Sequence, residues 1–263
     1  MNTQTQTHEI SNGYPATTTV APVRPRTIKV ARAYYAVVAT IGTTAVVAAL
    51  AIGASRGGAE GMVGFLSEMT YWSNILVAVI GWSLVINPQR DGRFFRWLRF
   101  SSLVMISVVG LVYPLILAAN ANPTGYEVYT NIAVHYIMPW ATLLGWLVFG
   151  PRPRITLGTV ALMPILPVLY TTYAMVYGAV LNPTGEYPYS FLDPATGTSQ
   201  VAAHIAMIMV IGLAFGFLYW GIDRALSRGV KPTKLSGQAI PQQIDAARVA
   251  DETLAPDRVV EKV

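Results

Sequence analysis

Two pairs of polar residues, each four positions apart, lie at the starts of apolar segments. Thr70 and Asn74 form one pair, and Asn131 and His135 form the other. Residues four apart share a face of an α-helix, so each pair presents its two polar groups together. A histidine beside a hydroxyl is typical of nucleophilic catalysis, in which imidazole accepts the proton as the hydroxyl oxygen attacks a carbonyl. The pairs therefore suggest Thr70 as a nucleophile and His135 as its general base.

Purely structural roles are an alternative for the same residues. A histidine inside a helix bundle often serves only as a hydrogen-bond partner between helices, and a threonine at a helix start often only caps it. Spacing alone leaves both interpretations open, because it does not bring Thr70 and His135 into contact. Pro139 follows His135 by four residues and cannot donate the helical hydrogen bond to its carbonyl. We therefore expect a kink in the backbone at His135.

Other polar residues are expected at the same depth. Ser73, Asn74 and Asn131 are candidates for hydrogen-bonding a developing oxyanion or for holding the imidazole in the needed tautomer. The remaining candidates for substrate-binding or supporting positions are Tyr113, Tyr173 and His204. Each polar group is costly in lipid and needs a partner or a purpose. We therefore expect one polar pocket that opens toward the outer leaflet.

The elements that must position these residues are membrane helices. Hydrophobic residues make up 53% of the chain and charged residues 12%, which leaves too little charge to cover a water-facing surface. Six stretches are long enough to cross about 30 Å of hydrocarbon. They lie near residues 33–54, 69–86, 100–119, 132–149, 155–181 and 201–222. We expect an all-α, six-helix transmembrane bundle over residues 30–225, with disordered tails at 1–29 and 226–263.

The distribution of Lys and Arg predicts the orientation of the chain. Basic residues cluster at 24–32, 90–99, 152–154 and 224–234, which all fall on one side of a six-pass chain. The opposite connections contain only Arg56. Because basic residues in short connections stay on the cytoplasmic side, we expect a multi-pass protein of the plasma membrane with both termini in the cytoplasm.

Composition also limits the cofactors and partners. The chain has no cysteine, which excludes a thiolate metal site and a cysteine nucleophile, and we expect no cofactor. A zinc hydrolase built from His135, His204 and Asp193 is an alternative that is short of ligands, because His8 lies in the opposite tail. The net charge of +5 sits between apolar segments, so we expect membrane lipids as partners and no nucleic acid. The sequence does not indicate an oligomeric state.

Three motifs carry a resemblance to a known family. The run Thr70-Tyr71-Trp72-Ser73-Asn74 begins the second span, and Asn131, His135 and Pro139 recur at intervals of four in the fourth. The run Tyr187-Pro188-Tyr189-Ser190-Phe191-Leu192-Asp193 precedes the sixth span. Over about residues 30–225 the chain resembles a bacterial six-pass predicted membrane protein family. That family is similar to the animal androgen-induced membrane proteins, intramembrane threonine hydrolases of fatty acid esters of hydroxy fatty acids.

The resemblance implies roles for two residues. In the animal branch a threonine near the second span is the proposed nucleophile, and a histidine that follows an asparagine by four is the proposed base. Thr70 and His135 match these positions. The chain departs from the bacterial pattern at Gly145, where an acid commonly precedes the tryptophan, and Ser73-Asn74 has no counterpart in the animal pattern. The resemblance thus implies hydrolysis of lipid esters.

A non-enzymatic membrane protein is the alternative from another class. It would be a carrier or receptor for a lipid-like or small apolar ligand. Pro164 and Pro167 can break the fifth span, and broken helices are common around transport sites. No carboxylate lies deep within a predicted span, which disfavours transport coupled to protons or sodium.

Overall fold

A computed structural model describes residues 25–227 of the chain. The predicted tails therefore lie almost entirely outside the described residues. All regular secondary structure within residues 25–227 is helical. Six of the helical segments are long and apolar enough to cross a membrane, which confirms the prediction of an all-α chain with six candidate spans.

Each of the six spans covers most or all of one predicted segment, and the first, third, fourth and sixth extend beyond it. In chain order, from first to sixth, they are Thr27–Leu66, Met69–Ile86, Arg93–Asn120, Tyr126–Phe149, Leu157–Leu181 and Thr198–Ser227. Large apolar side chains face outward from several of them: Ile86 is 77% exposed, Val180 75% and Trp140 70%. In water, exposed apolar side chains of this size would promote aggregation, whereas lipid tails solvate them well.

The first helix is longer than predicted and contains a reversal. It runs over Pro25–Leu66, but Gly57 and Gly58 have non-helical backbone angles, and Gly58 has a φ of +58°. The part after Gly58 folds back against the part before it. The two parts approach so closely that a Cβ on Gly53 would lie 2.6 Å from the carbonyl oxygen of Gly61. The fold-back delivers the chain to the start of the second span at Met69.

Three spans contain a π-helical turn. These turns are Tyr113–Leu117 in the third span, Ala133–Ile137 in the fourth and Tyr177–Leu181 in the fifth. The fourth span consists of α-helix over Tyr126–Ile132, the π-turn, and α-helix over Met138–Phe149. Because Pro139 cannot donate a hydrogen bond, the irregularity falls at His135, as the sequence predicts.

The fifth span is interrupted by proline, and both it and the third end in a turn of the same sequence. Its α-helical parts are Leu157–Leu162 and Ile165–Val176, with Pro164 between them. Asn-Pro-Thr-Gly follows the third and the fifth spans. The glycines of the two turns, Gly125 and Gly185, have φ values of +56° and +70°, which glycine adopts without steric cost.

The third span lies at the centre of the bundle. Its side chains are buried without a break from Phe100 to Val109, and small residues let the neighbouring helices approach. Gly81 of the second span packs on Ala39 of the first, and Gly110 of the third packs on Pro139 of the fourth. Close packing at small residues is the usual basis of helix association in lipid, where burial of apolar surface gives little driving force.

Candidate functional site

Thr70 and His135 meet between the second and fourth spans. Thr70 is in the first turn of the second span and His135 is in the π-turn of the fourth, and the two are 3% and 9% exposed. Thr70 Oγ1 lies 3.4 Å from His135 Nε2. This distance is at the long end for a hydroxyl–imidazole hydrogen bond, and catalytic hydrogen bonds commonly tighten when substrate binds. The structure thus brings together the two residues that the sequence singles out.

Asn131 sets the tautomer of His135. The Nδ1 atom of His135 lies 2.8 Å from Asn131 Oδ1 and 3.1 Å from the Asn131 carbonyl oxygen. The backbone carbonyl can only accept, so Nδ1 carries the hydrogen whichever way the Asn131 amide is turned. His135 Nε2 therefore presents its lone pair to the Thr70 hydroxyl, which is the state a general base requires.

Tyr113 covers one face of the imidazole. Its ring lies 3.5 Å from the His135 ring, measured between centroids, and the two planes are 11° from parallel. Tyr113 occupies the π-turn of the third span, one turn beyond Gly110. A Cβ on Gly110 would lie 2.6 Å from Pro139 Cβ, so glycine permits the close approach of the third and fourth spans that makes this stack.

Ser73 and Asn74 support the backbone at Thr70. Ser73 Oγ donates to the Thr70 carbonyl at 2.9 Å, and Asn74 Nδ2 donates to the same oxygen at 2.8 Å. Asn74 Nδ2 is also 3.3 Å from the carbonyl oxygen of Val134. These contacts tie the start of the second span to the fourth, next to His135, and assign the two side chains a positioning role.

Two residues that the sequence analysis did not single out as site residues lie near Thr70. The hydroxyl of Tyr189 accepts the backbone N–H of Thr70 at 3.4 Å. Burial raises the pKa of Tyr189, and the nearby Glu68 carboxylate raises it further, so the phenol stays protonated. Burial also raises the pKa of Glu68, two residues before Thr70, to about 7. The sequence contains a signal for both residues: Tyr189 belongs to the Tyr187–Asp193 motif, and Glu68 lies two positions before Thr70.

An apolar cleft of about 630 Å³ opens beside Thr70. The second, third, fifth and sixth spans line it, together with the segment before the sixth. Representative lining residues are Val109, Val112, Tyr170, Phe191, Leu192 and Ile208. Thr70 and Tyr113 also line this cleft, so a ligand in it would lie against Thr70.

Two predicted site residues have their contacts elsewhere. The ring of Tyr173 packs on Trp72, with centroids 5.1 Å apart, and the ring of His204 lies 5.8 Å from that of Phe191. Within residues 25–227 neither side chain hydrogen-bonds to the Thr70–His135 pair. They lie on the predicted spans, but their helices turn them toward other neighbours.

The zinc alternative finds no support in the described residues. Between residues 25 and 227 no three His, Asp or Glu side chains are grouped so that they could hold a metal ion. Asp193, the acid of that alternative, instead accepts the backbone N–H of Ala195 at 2.8 Å and caps the short turn Pro194–Thr196. Its role in this structure is to shape the segment before the sixth span.

The site geometry is the main basis for assigning a function. No protein-family model, curated protein or solved structure matches the chain. The assignment must therefore be argued from Thr70, His135 and Asn131, and from the apolar cleft beside them.

Proposed function

We propose that the protein is a membrane-embedded hydrolase of lipid esters, with Thr70 as nucleophile and His135 as general base. The observation that carries this proposal is the 3.4 Å contact between Thr70 Oγ1 and His135 Nε2. It is joined by the contact of Asn131 with the other ring nitrogen. A hydroxyl, an imidazole and an acceptor that orients the imidazole form the arrangement that activates hydroxyl nucleophiles on unrelated folds.

The reaction proceeds through an acyl-enzyme. Thr70 Oγ1 attacks the ester carbonyl carbon while its proton passes to His135 Nε2. The tetrahedral intermediate collapses, the bond to the alcohol oxygen breaks, and the alcohol leaves with the proton from His135. Water then attacks the acyl-threonine ester with His135 again accepting a proton. The carboxylic acid is released and the Thr70 hydroxyl is restored.

A donor for the developing oxyanion is available at Tyr189. Its hydroxyl accepts the Thr70 N–H, which leaves its own O–H for a further acceptor on the same side of Thr70. Removing one donor of this type from an acyl-transfer enzyme typically lowers kcat by about 10²–10³-fold. Tyr189 is thus the candidate for stabilising charge on the carbonyl oxygen.

The cleft indicates the class of substrate. Its lining is almost entirely aliphatic and aromatic, and Thr70 is part of it. An acyl chain fits such a lining and would place its ester carbon near Thr70, whereas a charged or sugar-like acyl group would lose hydration without gaining partners. The resemblance of Thr70 and His135 to the proposed nucleophile and base of the intramembrane threonine hydrolases supports the same substrate class.

The proposed location is the plasma membrane, with both termini in the cytoplasm. The support is the grouping of basic residues on alternate connections, which are retained on the cytoplasmic side. In this orientation Thr70 lies near the outer leaflet, because it starts a span whose other end leads to the basic residues 90–99. Ester substrates would therefore enter from the outer leaflet.

The test is covalent labelling of the membrane-embedded protein by a lipophilic fluorophosphonate, which forms an adduct with an activated hydroxyl. We expect labelling of the wild type and of Thr70→Ser. Thr70→Ala and His135→Ala should lower the labelling rate at least about 100-fold, because nucleophile and base act as a unit.

Thr171→Ala is the matched control. Thr171 lines the same cleft, and among the described residues its hydroxyl has no hydrogen bond to a histidine. Its labelling should equal that of the wild type. Equal labelling of Thr70→Ala and wild type, or no labelling of the folded wild type, would rule out an activated threonine.

A carrier or receptor for a lipid-like ligand is the second candidate. The observation that favours it is the apolar cleft itself, which would hold such a ligand whether or not Thr70 reacts. Incubation with a radiolabelled fatty acid ester, followed by extraction, separates the two functions. Recovery of the intact ester from the protein supports binding alone, whereas release of free fatty acid that Thr70→Ala abolishes supports hydrolysis.

A further inference from the structure

A second set of cavities lies at the other end of the bundle from Thr70. The second span has 18 residues, so its ends are separated by about 27 Å. A cleft lies beyond its far end, and a small cavity lies among the first four spans. Arg99 and Trp146 line both, so the two spaces adjoin.

The cleft carries a strong positive charge. Its lining includes four arginines and one acid, which leaves a net charge of +3. The arginines are Arg90, Arg96, Arg99 and Arg154, and the acid is Asp91. Asp91 forms ion pairs with Arg96 and with Arg154, the latter at 3.0 Å. Arg96 lowers the pKa of the Asp91 carboxyl to about 2, so this acid is already ionised and committed to its two partners.

Two of the arginines keep most of their donors. Arg99 donates to the hydroxyl of Tyr35 at 2.8 Å, and this is its single side-chain hydrogen bond among the described residues. Arg90 lies over the ring of Phe95, 5.4 Å from the centroid. A guanidinium group has five N–H donors in a planar fork that matches the oxygens of a phosphate. Among residues 25–227, Arg90 and Arg99 therefore find no acceptor for most of their donors. Both line the cleft, and Arg99 also borders the apolar cavity.

The adjoining cavity has an apolar lining with one unmatched hydroxyl. Side chains such as Val38, Val77 and Leu103 form its walls. Thr142 Oγ1 is buried in this lining, and none of the residues from 25 to 227 supplies a hydrogen-bond partner for it. Thr142 precedes Trp146 by one helical turn, so its hydroxyl lies about 6 Å along the helix from the shared boundary. A buried hydroxyl without a partner points to an acceptor that a ligand would supply.

We propose that these adjoining cavities form a binding site for an anionic phospholipid. Arg90 and Arg99 hold the phosphate, the ester-linked start of an acyl chain enters the cavity among the first four spans, and Thr142 donates to an ester carbonyl of the lipid. The order of these groups along the protein matches the order of phosphate, ester and chain in the lipid. This site is separate from the Thr70 site and does not depend on hydrolysis.

The charge and the shape favour this ligand over two relatives. A zwitterionic lipid brings an ammonium group that the net charge of +3 disfavours. Inorganic phosphate would use the arginines but would leave the apolar cavity and Thr142 without a role. An anionic lipid satisfies the charge, the hydroxyl and the apolar walls together.

The test is native mass spectrometry of the detergent-purified full-length protein titrated with dioleoyl phosphatidylglycerol. We expect a bound lipid that dioleoyl phosphatidylcholine and inorganic phosphate do not displace at tenfold excess. Arg99→Gln should weaken phosphatidylglycerol binding about tenfold or more, the usual effect of losing a charged hydrogen bond. Thr142→Val, which keeps the shape and removes the hydroxyl, should weaken it about fivefold.

Arg93→Gln is the matched control, because Arg93 is an exposed arginine of the same segment that does not line the cleft. It should change the affinity less than twofold. Arg90→Gln provides a second test on an exposed position if Arg99→Gln does not yield folded protein. Equal loss of binding in Arg93→Gln and the cleft variants would overturn the proposal. So would displacement of the lipid by inorganic phosphate or by phosphatidylcholine.

Discussion

Tyr113 and His135 stack face to face, with ring centroids 3.5 Å apart and planes 11° from parallel. Asn131 holds the edge of the same imidazole through Nδ1 at 2.8 Å. The stack fixes the plane of the ring, and the hydrogen bond fixes its rotation within that plane. The stack and the hydrogen bond together therefore fix the direction of the His135 Nε2 lone pair toward Thr70 before any substrate binds.

The stack should matter for reactivity while the phenol oxygen does not. Tyr113→Phe keeps the aromatic face and should label with fluorophosphonate within twofold of the wild-type rate. Tyr113→Leu removes it and should lower the rate up to about tenfold, because an aromatic pair contributes roughly 0.5–1.5 kcal/mol. The measurement is the labelling rate at saturating probe. Equal rates for Tyr113→Leu and Tyr113→Phe would remove the stack from the mechanism.

Asn131 should act on turnover rather than on substrate binding. Asn131→Ala removes the side-chain acceptor of the His135 Nδ1–H and leaves only the backbone carbonyl of residue 131 to accept it. The variant should lower kcat by about 10–100-fold, which is less than the loss expected when nothing controls the tautomer. KM for a lipid ester should stay within about twofold of the wild-type value, since the change does not remove binding energy that substrate and transition state share. Asn122→Ala, in the neighbouring turn, is the control. A rise in KM with unchanged kcat would show that Asn131 contacts substrate instead.

Glu68 should make stability depend on pH. Its folded-state pKa of about 7 exceeds the ordinary value of 4.5 because burial disfavours the charged carboxylate. Between these values the native state binds more protons at Glu68 than the unfolded state does, so the contribution of Glu68 to stability is full below pH 4.5 and is lost as pH rises through 7. The apparent unfolding midpoint in detergent should therefore fall over this range less steeply in Glu68→Gln than in wild type. Glu60→Gln, at an exposed position, should retain the wild-type slope; a Glu68→Gln slope equal to it would contradict the burial of Glu68.

The spans were predictable because their signal is local. A run of apolar residues of sufficient length determines a membrane helix almost independently of its neighbours. The reversal at Gly57 and Gly58 was not predictable in this way. The segment after it is too short to cross a membrane, and its course depends on the contact of Gly53 with Gly61, which only the folded chain brings together.

The site was predictable where two residues share one helix. The four-residue spacing of Asn131 and His135 places them on one face, and their hydrogen bond follows from it. The position of Tyr189 depends on how the irregular segment before the sixth span folds, on which periodicity gives no information. His204 lies on the predicted span but is turned toward Phe191, because hydropathy does not set the rotation of a helix about its own axis.

Gly110 should be intolerant of even a methyl group. A Cβ there would lie 2.6 Å from Pro139 Cβ and 2.9 Å from Pro139 Cγ, and a proline ring cannot rotate away. Gly110→Ala should therefore lower the free energy of unfolding by about 1–3 kcal/mol, as overpacking does. It should also separate the third and fourth spans near His135. Gly64→Ala is the control, since nothing lies within 4 Å of its Cβ position. Equal thermal stability of the two variants would show that the spans can adjust.

The apolar cleft should select substrates by acyl length, if Thr70 hydrolyses lipid esters as proposed. Ile208 of the sixth span lines the cleft, and Ile208→Trp would fill part of it. We expect kcat/KM for a palmitoyl nitrophenyl ester to fall about tenfold, since several buried methylene groups lose their site at about 0.8 kcal/mol each. The value for the butyryl ester should change less than twofold, because a short chain does not reach the filled part. Val210→Trp, on the exposed side of the same helix, should leave both values unchanged. A parallel loss for both esters in Ile208→Trp would mean that the acyl chain binds outside this cleft.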